Sequence, residues 1–521
     1  MNVNPILLEV FKNRFISIAE EMGVTLNRTA FSPNIKERRD FSCAIFNDEG
    51  DMIAQAAHIP VHLGSMPLSV KEAINNVEFN MGDMVILNDP FKGGTHIPDV
   101  TIIAPVFVDN IKKPQFYVAN RAHHADMGGM SAGSMPISTS IFQEGLIIPP
   151  LKIIEKDIID KKLLNLILNN VRTKNEREGD FTAQFMANKV GIRRICELIE
   201  KYNLSTVREY ALYLMDYSEK ILRDFISNLN NNKISFNDYL DDDGQNSEKI
   251  KISVNISIAN NTLILDFSES DKQVLGNVNA VYSITLSSVL YVFRSLVDSE
   301  IPTNAGCFRP LKVITRKGTI LDAFFPAAVA AGNVETSQRI VDVVLGALSN
   351  ILPDKVPAAS QGTMNNVTIG GIDERNSEPF TYYETIGGGM GAADGYNGAS
   401  AVHSHMTNTL NTPIEALEFA YPLEVVEYSI RKNTGGIGKY RGGDGIIRDI
   451  KLLSDAEVTV LSERRKIAPY GLFGGECGMP GRNVIIEAGT KKVMPSKFSL
   501  RLKKGDRVII ESPGGGGFKS E

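Results

Sequence analysis

Residues 84–108 read MVILNDPFKGGTHIPDVTIIAPVFV, and after a short spacer residues 116–129 read FYVANRAHHADMGG. Each segment joins a β-patterned run to a cluster of polar ligand types. Asp89, His96 and Asp99 lie in the first, and His123, His124 and Asp126 in the second. The chain has seven histidines, and three of them fall in this stretch. Residues 100–108 form one apolar strand and residues 116–120 return beside it, so His123 arrives close to where His96 and Asp99 leave. In T-H-I-P-D, His96 and Asp99 are separated by two residues, one a proline, in a short rigid loop that can turn both side chains to one ion. Two imidazoles and a carboxylate leave coordination positions open, which is a catalytic rather than a structural arrangement. With no thiolate in the set, manganese, iron or zinc is the expected ion. In an extended segment His124 points to the opposite face. It is therefore assigned, with Asp126 and Asp89, to orienting the ligands or to acid/base work. The competing explanation is a loop of satisfied polar residues that hold tight turns.

At 521 residues the chain is too long for one ordinary core. Its apolar fraction of 43% and charged fraction of 22% are those of a soluble globular protein. A net charge of −6 offers no basic surface for nucleic acid. Four scattered cysteines without a Cys-x-x-Cys pair fit a reducing cytoplasm. No run of about 18 uncharged apolar residues is present, so no membrane span is expected, and the N-terminus lacks the layout of a secretory signal. The expected location is cytoplasmic.

The rest of the chain surrounds this stretch in order. Leu7, Phe11, Phe15, Ile18 and Met22 recur at helical steps, predicting an amphipathic helix over 6–28. Residues 40–47 and 51–55 alternate as a hairpin around Asp48-Glu49-Gly50. Lys36, Arg38 and Arg39 stand just ahead of it, either as a solvated basic edge or as a clamp for an anionic group or a partner. His58 and His62 flank Pro60, which argues against a regular helix; hydrogen-bonded structure is the expectation for both. Residues 67–79 read as a helix. Long helical patterns over 156–230 form a helical domain or a layer on the sheet, with Ser205 as an N-cap between two of them. Residues 250–267 flank Asn260-Asn261 as a hairpin, and a helix spans about 281–297. A glycine loop then feeds a helix whose first turn holds Glu335, Thr336 and Ser337. Residues 362–412 read as a long glycine-rich loop, a substrate lid or binding wall carrying His403 and His405. From about 421 onward, strands separated by glycine turns predict a β-barrel or sandwich. The expected fold is α+β and multidomain: 1–155 an α/β metal-site region with a mixed sheet, 156–240 helical, 241–420 α+β, and 421–521 β-rich. G-x-x-x-x-G-K-[ST] does not occur, so any ATP in the reaction is expected on another polypeptide.

IKERRDFSCAIFN, HIPVHLGSMP, NDPFKGGTHIPDV, RAHHADMGG, DFSESDKQVLGNVNA, AGNVETSQR and SPGGGGF together resemble the hydantoinase B family. That family includes the C-terminal half of 5-oxoprolinase and subunits of acetone and acetophenone carboxylases. The motifs run in the family's order across nearly the whole chain. The resemblance implies a hetero-oligomer in which a hydantoinase A-type partner uses ATP to phosphorylate a carbonyl oxygen. The B-type subunit then completes the reaction. It also implies a divalent ion on His96, Asp99 and His123; by residue type and motif match, Arg38, Arg39 or Arg121 is expected to hold a substrate carboxylate or phosphoryl oxygens. His124 or Asp126 would move a proton, and Asn333 and Glu335 would wall the pocket. The leading expectation is hydrolysis of a cyclic amide. The alternatives are a ketone carboxylase subunit and a non-catalytic scaffold for the ATPase subunit.

Overall fold

The computed structural model describes residues 3–56, 59–108, 111–229, 233–297 and 301–520. Its N-terminal sheet has seven strands: β1 (Phe41–Asn47), β2 (Met52–Gln55), β3 (Met84–Leu87), β4 (Asp99–Val106), β5 (Phe116–His123), β6 (Leu151–Glu155) and β7 (Ile158–Ile159). They lie in the order β2-β1-β5-β4-β3-β6-β7. Every pairing in this sheet is antiparallel. The central strands are buried on both faces, which is why they read as nearly continuous apolar runs.

Alternation sorts the two faces. Phe41, Cys43, Ile45, Val100, Ile102 and Val118 join the main core. The helices Pro5–Thr29 and Lys174–Tyr202 cover that side. Ala44, Phe46, Ile103, Tyr117 and Ala119 form a smaller core under the helix Ser65–Asn76. Asp99, Arg121 and His123 share the parity of this second face.

The first helix follows from its sequence. Asn4 caps it by accepting from the Ile6 and Leu7 amides, Pro5 opens it, and Phe11, Phe15, Ile18, Met22 and Leu26 form its buried stripe. The layer over 161–227 is three helices: Lys161–Leu168, Lys174–Tyr202 and Leu204–Ser227. The last is capped by Asn203, not Ser205. Asn203 takes a left-handed φ of 60° and accepts from the Thr206 amide, and Ser205 donates its hydroxyl to the Asn203 side chain.

A second sheet comprises β8 (Ile234–Leu240), β9 (Ile250–Ala259), β10 (Thr262–Asp266) and β11 (Leu311–Ile314). Asn260 and Asn261, with φ of 51° and 53°, make the β9–β10 turn, and β10 pairs with β11 in parallel. The helix Tyr282–Leu296 follows in sequence after β10. A π-helical turn over Gly332–Thr336 leads into the helix Ser337–Leu348, so Glu335 sits in that turn rather than at a plain helix start.

The remaining strands are β12 (Asn366–Asp373), β13 (Glu378–Glu384), β14 (Leu423–Arg431), β15 (Gly445–Leu452), β16 (Ala456–Leu461), β17 (Arg482–Glu487), β18 (Thr490–Met494), β19 (Lys497–Leu502) and β20 (Arg507–Glu511). They make two open sheets, β13-β12-β16-β19 and β14-β15-β20-β17-β18, which share one apolar core. Of the two architectures expected here the sandwich is the one observed; none of the described sheets closes into a barrel. The hairpin β12–β13 also breaks the stretch 362–412, leaving an irregular segment only after residue 384. Buried charges tie this sandwich to the rest: Arg464 bonds Asp238 at 2.7 Å and Asp342 at 2.5 Å, and Lys497 lies 3.4 Å from Asp242. Removing one member strands the other in a dry interior.

The long helix Lys174–Tyr202 crosses the first helix and the sheet at Gly191, where an added Cβ would lie 2.5 Å from Met22 Sδ and 3.1 Å from Val118 Cγ1. Gly191→Val is expected to destabilise the chain by about 1–3 kcal/mol through overpacking. A lowered melting temperature in a thermal denaturation scan checks this.

Candidate metal centre

The centre grows out of one strand register. Asp99 opens β4, His123 closes β5, and the two are direct partners across the ladder. Directly opposed side chains on one face approach closely. His96 is turned back toward them by the loop: the Asp99 amide donates to the His96 carbonyl at 3.1 Å, and the His124 amide to the Pro98 carbonyl at 2.9 Å.

One oxygen of Asp99 gathers the group. Its Oδ2 accepts from Thr95 Oγ1 at 2.5 Å and lies 3.3 Å from His62 Nε2 and 3.4 Å from His96 Nε2. Ligand atoms of His96, Asp99 and His123 all lie within 4.8 Å of one another. Each ring has a steadying contact. His62 Nδ1 meets Ser42 Oγ at 2.9 Å, His123 Nδ1 meets Asn34 Nδ2 at 3.3 Å, and His96 Nε2 meets Asn333 Nδ2 at 3.0 Å. Tyr383 stacks on His123 with centroids 4.3 Å apart.

The protonation balance follows from burial and these neighbours. Burial raises the Asp99 carboxyl, but His96 and His62 beside it hold it well below the usual carboxylate range. Burial, reinforced by His96, pushes His123 well below the ordinary imidazole value, so it is neutral. His62 is lowered by burial against the pull of Asp99. Buried nitrogens Nε2 of His62, Nε2 of His123 and Nδ1 of His96 have no hydrogen-bond partner. Leaving such atoms unpaired costs about 1–3 kcal/mol each. An ionised carboxylate beside the neutral His123, with ligand atoms of His96, Asp99 and His123 within 4.8 Å of one another, fits a divalent cation in charge and donor type.

A cavity of about 20 Å³ adjoins the group, lined by Asp40, His62, Asp99, His123, Asn333 and Tyr383 among others. Asp40 lies 3.7 Å from Arg38, and burial, opposed by Arg38, pushes its carboxyl up to about 7. The buried Arg38 donates to Asn34 Oδ1, Thr385 Oγ1 and the Tyr383 carbonyl, placing it beside this cavity.

The other residues named from sequence lie as follows. Asn333 reaches the centre. Glu335 lies one layer back, accepting from the Met364 amide and Asn366, which in turn accepts from the Tyr383 hydroxyl. Arg121 is buried, its guanidinium held by Thr101, Ser65 and Ser69; no carboxylate pairs with it among the described residues, and burial lowers it to about 10. Arg39 is exposed. Asp89, His124 and Asp126 are not brought to the trio. Asp89 caps the turn at Phe91. His124 faces the helical layer, bonding Gln184 at 2.9 Å and stacking on Phe181, and burial lowers it to about 4. Asp126 pairs with Arg172 at 2.8 Å. His403 bonds Asn411, and His405 adopts a φ of 57° in an irregular segment. His58 lies outside the described residues.

Sequence reading did not place His62 or Asp40 at the centre. A signal existed for Asp40: it stands two residues before Ser42, whose hydroxyl holds His62, so alternation puts it on the site face. Asn34 and Tyr383 left no local signal.

Fold and donor set thus define an α+β protein with a candidate divalent-cation centre walled in by several of its segments. A family profile described as Hydantoinase B/oxoprolinase matches residues 4–520. The chain belongs to this family. It is 44% identical to an uncharacterised protein of Methanocaldococcus jannaschii, over 99% of this chain and 91% of that one. It is 42% identical to the 5-oxoprolinase of Dictyostelium discoideum over 99% of its own length but spans only 40% of that protein. The B-type subunit of a putative D-/L-hydantoinase from a Pseudomonas species is 31% identical, with 99% and 90% covered. Among solved structures, the ATP-dependent caprolactamase of Pseudomonas jessenii superposes with a TM-score of 0.93 at 27% identity, covering 100% of this chain and 92% of that one.

Asp99→Asn and His96→Ala are each expected to abolish stoichiometric divalent metal, as read by elemental analysis after stripping and reloading. His62→Ala should weaken affinity by about 10–100-fold, the scale of a lost supporting contact. His124→Ala, on the opposite face, should leave metal content unchanged.

Proposed function

We propose that this chain is the B-type component of an ATP-dependent cyclic-amide hydrolase, with His96, Asp99 and His123 holding a divalent cation and His62 supporting them. The observation that supports this reading is the buried trio of His96, Asp99 and His123, of which Asp99 and His123 line a small cavity and His123 Nε2 is left without a hydrogen-bond partner. When bound, such an ion supplies Lewis-acid polarisation.

The chain's own groups supply the rest. Arg38 offers a fixed positive charge to a carboxylate or phosphoryl oxygen entering the cavity. Asp40, facing the same space, is the carboxyl group placed to take a proton from water and return it to the leaving nitrogen. Asn333, Asn34 and Ser42 hold the three rings in place. Overall, a cyclic amide, ATP and two waters give the opened amino acid, ADP and phosphate. One water opens the amide and the other takes up the phosphoryl group. The phosphorylation belongs to an A-type partner. The Pseudomonas relative is named as the B-type part of its enzyme, and this sequence lacks a phosphate-binding glycine motif; both support that division.

The test is co-expression with the A-type subunit of the same organism and assay of ATP hydrolysis with 5-oxoproline, hydantoins and small ketones. Amide-dependent ADP release that does not need bicarbonate is expected, and product formed only with bicarbonate would overturn the hydrolase reading in favour of a carboxylase. Asp40→Asn should lower kcat by about 10²–10⁴-fold with metal content retained.

A further inference from the structure

We propose that the hydroxyls of Thr385, Thr407 and Thr409 form a chain anchored on Arg38 that seats, in the cavity beside Asp99 and His123, the water that opens the amide. This rests on the hydrolase reading above.

All three threonines are buried and line that cavity. Arg38 closes the inner end of the chain. Its Nη1 donates to Asn34 Oδ1 at 3.0 Å and to the Tyr383 carbonyl at 3.2 Å. Its Nη2 donates to Thr385 Oγ1 at 2.8 Å and to Thr409 Oγ1 at 3.5 Å. Both prongs of the guanidinium are thus engaged by the protein, and only Nε is left without a partner. The charge of Arg38 therefore reaches the cavity through the hydroxyls it holds. Thr385 Oγ1 lies 2.9 Å from Thr409 Oγ1, which lies 3.3 Å from Thr407 Oγ1.

A count of protons shows what this chain offers. Each hydroxyl carries one proton, and a guanidinium only donates, so Arg38 accepts none of them. The two bonds between the threonines take up two protons, and these hydroxyls have no further acceptor among the described residues. One O–H is left over on the cavity wall. The cation decides which one. A hydroxyl beside a positive charge turns its oxygen toward the charge and its proton away, and each bond polarises the next. Donation then runs from Thr385 to Thr409 to Thr407, and the spare proton is on Thr407.

The size of the cavity selects the guest. About 20 Å³ holds a single water. A buried water needs at least about two polar partners, and here it has them. It accepts from the Thr407 hydroxyl and donates to Asp40, which lines the same cavity. The second lone pair of its oxygen stays free for the amide carbon. In the opening step that oxygen bonds to the carbon, the carbon–nitrogen bond breaks, and one water proton passes by way of Asp40 to the nitrogen.

The test removes the last hydroxyl while keeping the shape of the side chain. Thr407→Val and Thr407→Ser are each assayed with the hydantoinase A-type subunit of the same organism, following opened amide and ADP with 5-oxoproline and with hydantoin. Thr407→Val is expected to lower kcat by about 10²-fold with KM near wild type, and Thr407→Ser to recover most of that loss. Thr409→Val, which cuts the chain in the middle, should match Thr407→Val. Melting temperature and metal content of the isolated variants should stay at the wild-type values. Wild-type turnover by Thr407→Val, or a serine variant as slow as the valine one, would overturn the water seat while leaving the function reading intact. A raised KM at unchanged kcat would overturn it by giving the chain to the amide itself. A rate that falls only in step with the melting temperature would overturn it by making the threonines a structural strut. Wild-type chain that opens no amide, or forms product only with bicarbonate, would overturn the function reading and the water seat together.

Discussion

A single carboxylate oxygen, Oδ2 of Asp99, sits between two imidazole nitrogens and a threonine hydroxyl in a water-poor interior. Around it the fold must keep Asp99 ionised, His123 neutral, and enough second contacts to fix each ring. A buried carboxylate is costly alone. It is tolerable here because β4 and β5 deliver their opposing residues to one point while the loop before β4 folds a third group back onto it.

The two faces of the N-terminal sheet then have separate duties. The side under Pro5–Thr29 and Lys174–Tyr202 is mainly apolar packing, with Asn120, Gln184, Asn188 and His124 knitting helix to sheet. The other side carries the polar chemistry at one end and an apolar core under Ser65–Asn76 at the other. Arg121 joins the two regions. Its guanidinium rests on three hydroxyls two residues before His123 on the same strand, contributing positive potential toward Asp99 without pairing to it.

Much of this was legible in the sequence because it depends on local periodicity. The alternation of 100–108 and 116–120 predicted the hairpin, and parity predicted that His123 and His124 would part company. The single proline between His96 and Asp99 predicted a short rigid turn. What stayed hidden depends on long-range closure. His62 looked like an ordinary loop histidine because nothing local says its ring will meet a carboxylate 37 positions later. Asp40 read as the opening residue of a strand rather than as a cavity wall. The strands at 366–384 were masked by the glycines around them, although alternating residues such as Val367, Ile369, Phe380 and Tyr382 supply the sandwich core. Ser205 competed with Asn203 for the cap, and the asparagine won because it also tolerates the left-handed turn between two helices.

The segments that wall in the centre come from far apart in the chain, and that has a consequence for how it is made. The Asp99 group is complete once the first strands have left the ribosome, whereas Asn333 and the segment bearing Met406 are translated roughly 200 to 280 residues later, about 10–60 s at ordinary elongation rates. The enclosure therefore closes only when the later part of the chain is present, and a chain cut short before Met364 would keep the carboxylate and its imidazoles but lack Met364, Tyr383 and Met406 from the lining.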